Sequence, residues 1–244
     1  MIAEAAGAVA LGTTSSGHAY SLARRDARGA LTREESIDRV REICSVVTIP
    51  VSVDAENGWG ARPEDVAKTV RLLADAGAAG ASIEDWSGDP DRGFYDRGEA
   101  VERVTAAVEA ARALPVPFVI CARAEAFLHH TTEPLDEAIT RLQLFRDAGS
   151  QCVYAPGPTD LAILARIVTE TGTAVNALIG FGSRLTIADA AAIGVRRVSV
   201  GGSLYRATMA KFRELVTQVV TTGSLETDPA PIPDSELDKL FTDF

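Results

Sequence analysis

The sequence predicts an α/β protein built as a TIM-type (β/α)8 barrel, with the first strand apparently missing from this chain. Three observations lead there: a recurring helix–glycine–strand unit, strands that are apolar without alternation, and polar side chains after almost every strand. Four segments share the unit: IAEAAGAVALGTT from Ile2, LLADAGAAGASIED from Leu72, LFRDAGSQCVYAP from Leu144 and IADAAAIGVRRVSV from Ile187. Each reads as the last turn of a helix, a glycine that can take positive φ, and a short buried strand. Strands of this kind belong to parallel sheets covered by helices. An open doubly wound sheet and a closed barrel both satisfy that pattern. The barrel is preferred because Thr13 to Ser16, Asp54 and Glu56, Glu84 and Asp85, Arg123 and Glu125, and Asn176 all follow or end strands. Only a barrel brings such ends to one mouth.

Taken in order, the strands are expected at Val9–Leu11, Val51–Val53, Ala81–Ile83, Phe118–Cys121, Cys152–Tyr154, Ala174–Leu178 and Arg197–Val200. The helix before the second strand opens with Thr32 and Glu35 in capping-box spacing and keeps Ile37, Val40 and Ile43 on one side. The next starts with Pro63 at its first position and stops at Gly77. Similar helices are expected from about Glu99 to Ala113, Pro134 to Ala148 and Asp160 to Thr171. That makes seven strands rather than eight, and the chain opens inside what reads as a first helix. Residues 1–223 are expected to form the barrel domain. Residues 224–244 form an acidic, proline-containing tail with a short helix near Ser235 to Phe241, suited to surface packing or contact with a neighbouring subunit.

At 244 residues and 46% hydrophobic composition, the chain can bury one sizeable core. The net charge of −10, with Lys68, Lys211 and Lys239 as the only lysines, offers no basic stripe and disfavours nucleic acid. Cys44, Cys121 and Cys152 are odd in number and lack CxxC spacing, which suits reduced thiols in a cytoplasmic core. No apolar run reaches the roughly 18 residues of a membrane span, and no signal peptide is read.

The chemistry-bearing residues gather at the predicted mouth. Asp54 and Glu56 are two apart and point the same way along a continuing strand. Glu84 and Asp85 follow the next strand, and Asp26 lies in the loop after the first. Carboxylates brought together repel unless a cation sits between them, and all-oxygen ligation suits Mg²⁺, or Mn²⁺, rather than zinc. The alternative reading has Asp54 and Glu56 capping the following helix or pairing with Arg62. Arg123 can meet a substrate carboxylate through its planar fork, or form a salt bridge to Glu125 or Glu84. Ser15, Ser16 and Gly17 offer donors for a second carboxylate or an enolate oxygen, or are merely a turn. Asn176 ends its strand with an uncharged donor and acceptor. His18, His129 and His130 show neither HxH nor HExxH spacing, so zinc is unsupported.

Several motifs in order carry a resemblance over residues 1 to 223: GTTSSG at 12–17, DAENGWG at 54–60, GASIED at 80–85, CARAEAF at 121–127 and GVRRVSVGG at 194–202. Together they resemble the isocitrate lyase/phosphoenolpyruvate mutase superfamily, in its phosphonomutase-like branch, whose members carry D-x-D-x-G-Y-G and A-R-T-D-A at the second and fourth positions. The resemblance implies an (α/β)8 barrel, usually a homo-oligomer (tetramer or dimer) exchanging its last helix. It also implies Mg²⁺-dependent chemistry on small 2-oxo carboxylates or phosphonates. By position, Asp54 corresponds to the direct metal ligand, and Glu56 and Glu84 to holders of metal-bound waters. Ser16 and Gly17 correspond to the carboxylate-binding turn, Arg123 to a substrate clamp, Asp26 to an aspartate that assists the reacting group, and Asn176 to a substrate-facing position.

The departures narrow the reaction. In place of the lyases' K-[KR]-C-G-H loop and the mutases' D-K-x-F-P-K-x-N-S loop the chain has EDWSGDPDRGFYDRGEA, with no cysteine, histidine or lysine. The family's N-x-W-D turn is absent too, and Glu56 and Glu125 replace aspartates. The expected function is Mg²⁺-dependent C–C cleavage of a 2-oxo or 2-hydroxy carboxylate through a metal-bound enolate, with water, Tyr95 or Asp96 as proton source. The alternatives are P–C chemistry on a phosphonopyruvate-like substrate and a non-catalytic carboxylate-binding barrel.

Overall fold

Residues 1–26, 30–129, 131–180 and 182–241 are described by a computed structural model of the chain. His130 and the end of the acidic tail, residues 242–244, lie outside them. Seven parallel strands follow one another in a single sheet: β1 (Leu11–Gly12), β2 (Val51–Asp54), β3 (Gly80–Glu84), β4 (Val119–Arg123), β5 (Cys152–Tyr154), β6 (Ala174–Leu178) and β7 (Arg197–Ser199). Their order in space is their order in sequence, as right-handed βαβ connections require of a barrel. The sheet curls into a nearly closed barrel, with β1 and β7 as its edges. Arg197 on β7 donates to Ser52 Oγ on β2 at 3.2 Å, so the two sides of the open seam are joined through the interior.

Helices cover the sheet between strands: α1 (Ile2–Ala5), α2 (Ser15–Ser21), α3 (Arg33–Ser45), α4 (Pro63–Asp75), α5 (Arg97–Arg112), α6 (Pro134–Asp147), α7 (Leu161–Thr171), α8 (Ile187–Ala192), α9 (Ser203–Thr222) and α10 (Asp234–Leu240). The start signals act as read. Thr32 Oγ1 accepts from the Glu35 N–H at 3.1 Å while Glu35 returns the bond to the Thr32 N–H at 2.9 Å. Pro63 is the first residue of α4.

Strand alternation separates two chemistries. Val53, Ala81, Ile83, Ile120, Ala122, Val153 and Val175 join Val66, Val70, Leu73, Val108, Leu142 and Phe145 of the helices in one core. Each large side chain removed from water there contributes about 1.5–3 kcal/mol. The opposite parity carries Ser52, Asp54, Ser82, Glu84, Cys121, Arg123, Cys152, Tyr154, Asn176 and Arg197, which this alternation assigns to the barrel interior. Cys121 and Cys152 are register partners with sulfurs 3.5 Å apart, and both are buried free thiols.

One strand differs from expectation. β1 spans only Leu11–Gly12, and Val9 is 86% exposed. Among the described residues its one partner is β2, so no second ladder extends it on the other side. The long helix α9 also stands apart, for it contains no buried residue.

Candidate active site

The register of the ladder lays out the site. Glu84 on β3 pairs laterally with Arg123 on β4, Arg123 with Tyr154 on β5, Tyr154 with Asn176 on β6, and Asn176 with Arg197 on β7. Asp54 ends β2 beside Ser82. At the strand ends the Arg123 guanidinium sits among three carboxylates. Its Nη1 lies 3.4 Å from Asp54 Oδ1 and 3.5 Å from Glu84 Oε2, and its Nε binds Glu125 Oε1 at close range. The salt bridges foreseen for Arg123 thus form, and Asp54 adds a third.

Asp54 is fixed from the other side by the Ser15 N–H, which donates to Oδ2 at 3.1 Å, and its own N–H donates to Thr13 Oγ1 at 3.0 Å. The GTTSSG turn therefore holds the strand-end carboxylate with one of its amides. Ser16 Oγ lies 2.9 Å from Thr14 Oγ1, and Gly17 is buried where an added Cβ would come 2.8 Å from Thr14 Cγ2. Arg62 pairs with Asp65 on α4 rather than with Asp54 or Glu56.

A cavity of about 590 Å³ opens over this cluster, lined by Asp26, Glu56, Glu84 and Arg123 together with Trp59, Trp86, Arg92, Tyr95, Glu125 and His129. Asp26 stands exposed at its rim. Ser16 and Gly17 are not on its wall; Gly17 lines a smaller, mostly apolar cavity of about 360 Å³ with His18 and Tyr205, and Ser15 borders both. Asn176 lies deeper, 2% exposed, donating to Ser199 Oγ at 3.0 Å, while its Oδ1 has no partner among the described residues. The structure thus brings Asp26, Glu56, Glu84 and Arg123 to one cavity, with Asp54 joined to Arg123 beneath it.

The electrostatics reflect crowding. Burial, followed by the charges of Asp54 and Asp26, pushes Glu56 up to about 7. Glu84 rises well above the usual carboxylate range because it is buried; Arg123 opposes the rise, and Glu125, Asp54 and Glu56 add to it. Partial desolvation and the charge of Asp54 raise Asp26. Asp85, next to Glu84, faces the other way and serves the scaffold: it accepts from the Glu125 N–H at 2.9 Å and from Arg141 Nη1 at 3.2 Å.

The donor set fits a hard divalent cation of the kind that keeps most of its waters. Asp54, Glu84 and Glu125 meet the single Arg123 guanidinium, Glu56 lines the same cavity, all are oxygen donors, and burial with neighbouring negative charge raises Glu56 and Glu84. Among the described residues, no three His, Cys, Asp or Glu side chains close into a cage of direct ligands. An all-oxygen donor set suits a hard cation rather than zinc.

Two features of the site were not foreseen. Arg103, on α5, reaches across to the DAENGWG loop and donates to Ala61 O at 2.7 Å, Gly60 O at 2.8 Å and, at close range, Asn57 O. Thr69 Oγ1 donates to Gly58 O at 2.7 Å. Glu56 and Trp59 sit in this clasped loop at positive φ, 48° and 52°. The second is the His129 ring, stacked on Trp86 with centroids 3.6 Å apart. Its only sequence signal was a histidine in the loop following the Arg123 strand.

A parallel (β/α) barrel with carboxylates and an arginine gathered at its strand ends defines a structural class. Within that class, the chain belongs to the family whose model is described as phosphoenolpyruvate phosphomutase, matched over residues 1–220, and so to the isocitrate lyase/phosphoenolpyruvate mutase superfamily. It is similar to 2-methylisocitrate lyase of Escherichia coli, 36% identical over 55% of this chain and 46% of that enzyme. It is also similar to oxaloacetate decarboxylase of Paraburkholderia xenovorans, 30% identical over 80% of this chain and 65% of that one. A solved structure from Burkholderia cenocepacia, with a provisional lyase/mutase description, superposes with a TM-score of 0.92 and is 42% identical over 98% of this chain and 84% of that one. The chain spans about half the length of the first curated relatives it matches. Among the described residues, no helix is long and apolar enough to cross a membrane.

Proposed function

We propose that the protein is a Mg²⁺-dependent lyase or decarboxylase that breaks a C–C bond in a small 2-oxo or 2-hydroxy carboxylate. The observation that carries this reading is the Arg123 guanidinium held among Asp54, Glu84 and Glu125 under an open cavity. Asp54 would hold the ion directly, with Glu56 and Glu84 holding its waters; Mn²⁺ would serve as well. When bound, the ion supplies Lewis-acid polarisation of the substrate's oxygens.

The chain's own residues do the rest. An incoming carboxylate competes with three protein carboxylates for Arg123, and wins more readily once a divalent ion shares their charge. Arg123 then orients the substrate and keeps positive charge next to the oxygen that gains electrons as the bond breaks. Trp59, in the clasped loop, forms part of the wall of the mouth. Asp26 at the rim and Asn176 below, with its unsatisfied Oδ1, are the polar groups proposed to meet the ends of the substrate, beside the Ser16–Gly17 turn.

Full-length protein with Mg²⁺ is expected to release CO₂ from a 2-oxo diacid such as oxaloacetate. Asp54→Ala should lose this activity and its Mn²⁺ binding by EPR titration, while retaining its circular dichroism spectrum. Undiminished turnover by Asp54→Ala would remove the role given to Asp54. Rearrangement of phosphonopyruvate without any C–C cleavage would favour the phosphonate reading instead.

The exposed face of α9 supports a homo-oligomer. Leu204, Phe212, Val216, Val219 and Val220 lie 45–80% exposed on one helix of 20 residues. An apolar stripe of that length is covered most simply by a second copy of the chain.

A further inference from the structure

We infer that His129 is the acid–base residue that exchanges a proton with the reacting carbon. The inference rests on the C–C cleavage reading above and assigns the step that reading leaves open.

The two proton donors named from sequence are otherwise engaged. Asp96 is the N-cap of α5, accepting from the Glu99 N–H at 2.8 Å. The Tyr95 ring is 3% exposed, with the Arg103 guanidinium 4.0 Å and that of Arg92 4.7 Å from its centroid. Both side chains are thus taken up in structural contacts at the start of α5.

His129 is held as a fixed acid–base group should be. Its ring lies flat on Trp86, 3.6 Å between centroids and 5° between planes, and meets Phe94 edge-on at 5.9 Å. Trp86 and Phe94 are themselves locked together by an isolated antiparallel bridge and an edge-to-face contact at 5.1 Å. The imidazole lines the same cavity as Glu56, Glu84 and Arg123, and its Nε2 is 3.8 Å from Glu125 Oε2, the carboxylate that holds Arg123. That places it one side chain away from the anion clamp. Its side chain is 30% exposed, which lets water restore the proton after each turnover. An imidazole is the side chain whose ordinary pKa suits both giving and taking a proton near neutrality.

In the decarboxylation of a 2-oxo diacid, the C–C bond breaks, CO₂ leaves, and its electron pair remains on the adjacent carbon as an enolate. The imidazolium of His129 gives its N–H proton to that carbon, forming the new C–H bond and the neutral ring, which regains a proton from water. Run in reverse on the 2-oxo acid product, the neutral ring removes a methyl proton.

The test follows methyl-proton exchange of pyruvate in D₂O by NMR, using full-length protein and Mg²⁺. Wild type should exchange, and His129→Asn and His129→Gln should lose about 10²–10⁴-fold of the rate, the range of general acid–base catalysis, with calorimetric binding of oxalate unchanged. Imidazole added to His129→Ala should restore exchange, which a merely structural role would not allow. Exchange at the wild-type rate in His129→Asn overturns the assignment while leaving C–C cleavage standing. Lost oxalate binding in every His129 variant, or no rescue by imidazole, overturns it too. A wild type that neither decarboxylates oxaloacetate nor exchanges pyruvate overturns both.

Discussion

Replacing Arg103 with methionine tests whether the metal-side loop is held from outside the barrel. The guanidinium is 2% exposed and donates to three carbonyls of residues 57–61, in a loop with two non-glycine residues at positive φ. Hydrogen bonds to a charged partner contribute about 1.5–3 kcal/mol each. Three such bonds do not add fully, because burial of the cation itself is costly and pulls its pKa down. A net loss of about 3–5 kcal/mol is expected, as when one partner of a buried charged contact is removed. For a chain of this size that is a fall of roughly 6–20 °C in Tm at about 2–4 °C per kcal/mol. Methionine keeps most of the stem but gives up the guanidinium's contact with the Tyr95 ring, so the loss reports the charged head group as a whole. Arg103→Lys should recover less than half, since one ammonium cannot reach three separated carbonyls as a planar fork does. Thermal and urea unfolding give the stability, and Mn²⁺ titration reports whether Glu56 is still placed. An Arg103→Met variant within about 1 kcal/mol of wild type would refute the clasp, because that is no more than an ordinary substitution.

Two further outcomes follow from the site and from α9. Glu56 is raised to about 7 and Asp85 to about 6, so between their unfolded values near 4 and these folded values the native state binds more protons than the unfolded one. Their contribution to stability is therefore full at low pH and is lost as pH rises through 6 to 7; metal-free protein should melt higher at pH 5.5 than at pH 8, and Mg²⁺ should raise Tm more at pH 8. An equal Mg²⁺ shift at both pH values would contradict this coupling. Phe212→Glu, at a position 64% exposed on α9, should shift the protein to a smaller species by light scattering with its monomer fold intact; an unchanged mass would show that this face is not the contact.

Much of the frame was legible because it depends on local rules. The capping box at Thr32, Pro63 at a helix start and the glycines after helices acted where the chain placed them, and all seven strands lie within a residue or two of their expected bounds. Val9–Leu11 was less well read, since a strand's length depends on what pairs with it on both sides. The gathering of Glu84 and Arg123 at one mouth was readable from strand alternation plus barrel closure, whereas Glu56, read as part of a continuing strand, sits past the end of β2 in a loop at positive φ. The identity of their partners was not readable. Asp85 and Glu84 are adjacent in sequence, and only the approach of Arg141 from α6 makes one a scaffold carboxylate and leaves the other in the cavity. Nothing near Arg103 or Arg141 in sequence marks the carbonyls and carboxylate they reach. The pairing of Trp86 with His129 joins loops after different strands, a contact of 43 residues' separation that no local pattern encodes.

The ion-pair row and the aromatic wall are built on different kinds of backbone. Glu84 and Arg123 belong to adjacent strands whose neighbours are pinned on either side, so neither can drift without unzipping the ladder. Trp86, Phe94 and His129 hang on connections that can lengthen, shorten or change composition while the ladder stays whole. On the proposed function, the ladder is the anchor for the charges that meet the substrate, and the aromatic wall is the interchangeable fitting that tunes the reaction. Grafting another β3–α5 connection onto this barrel should alter the reaction before it alters the affinity for small anions.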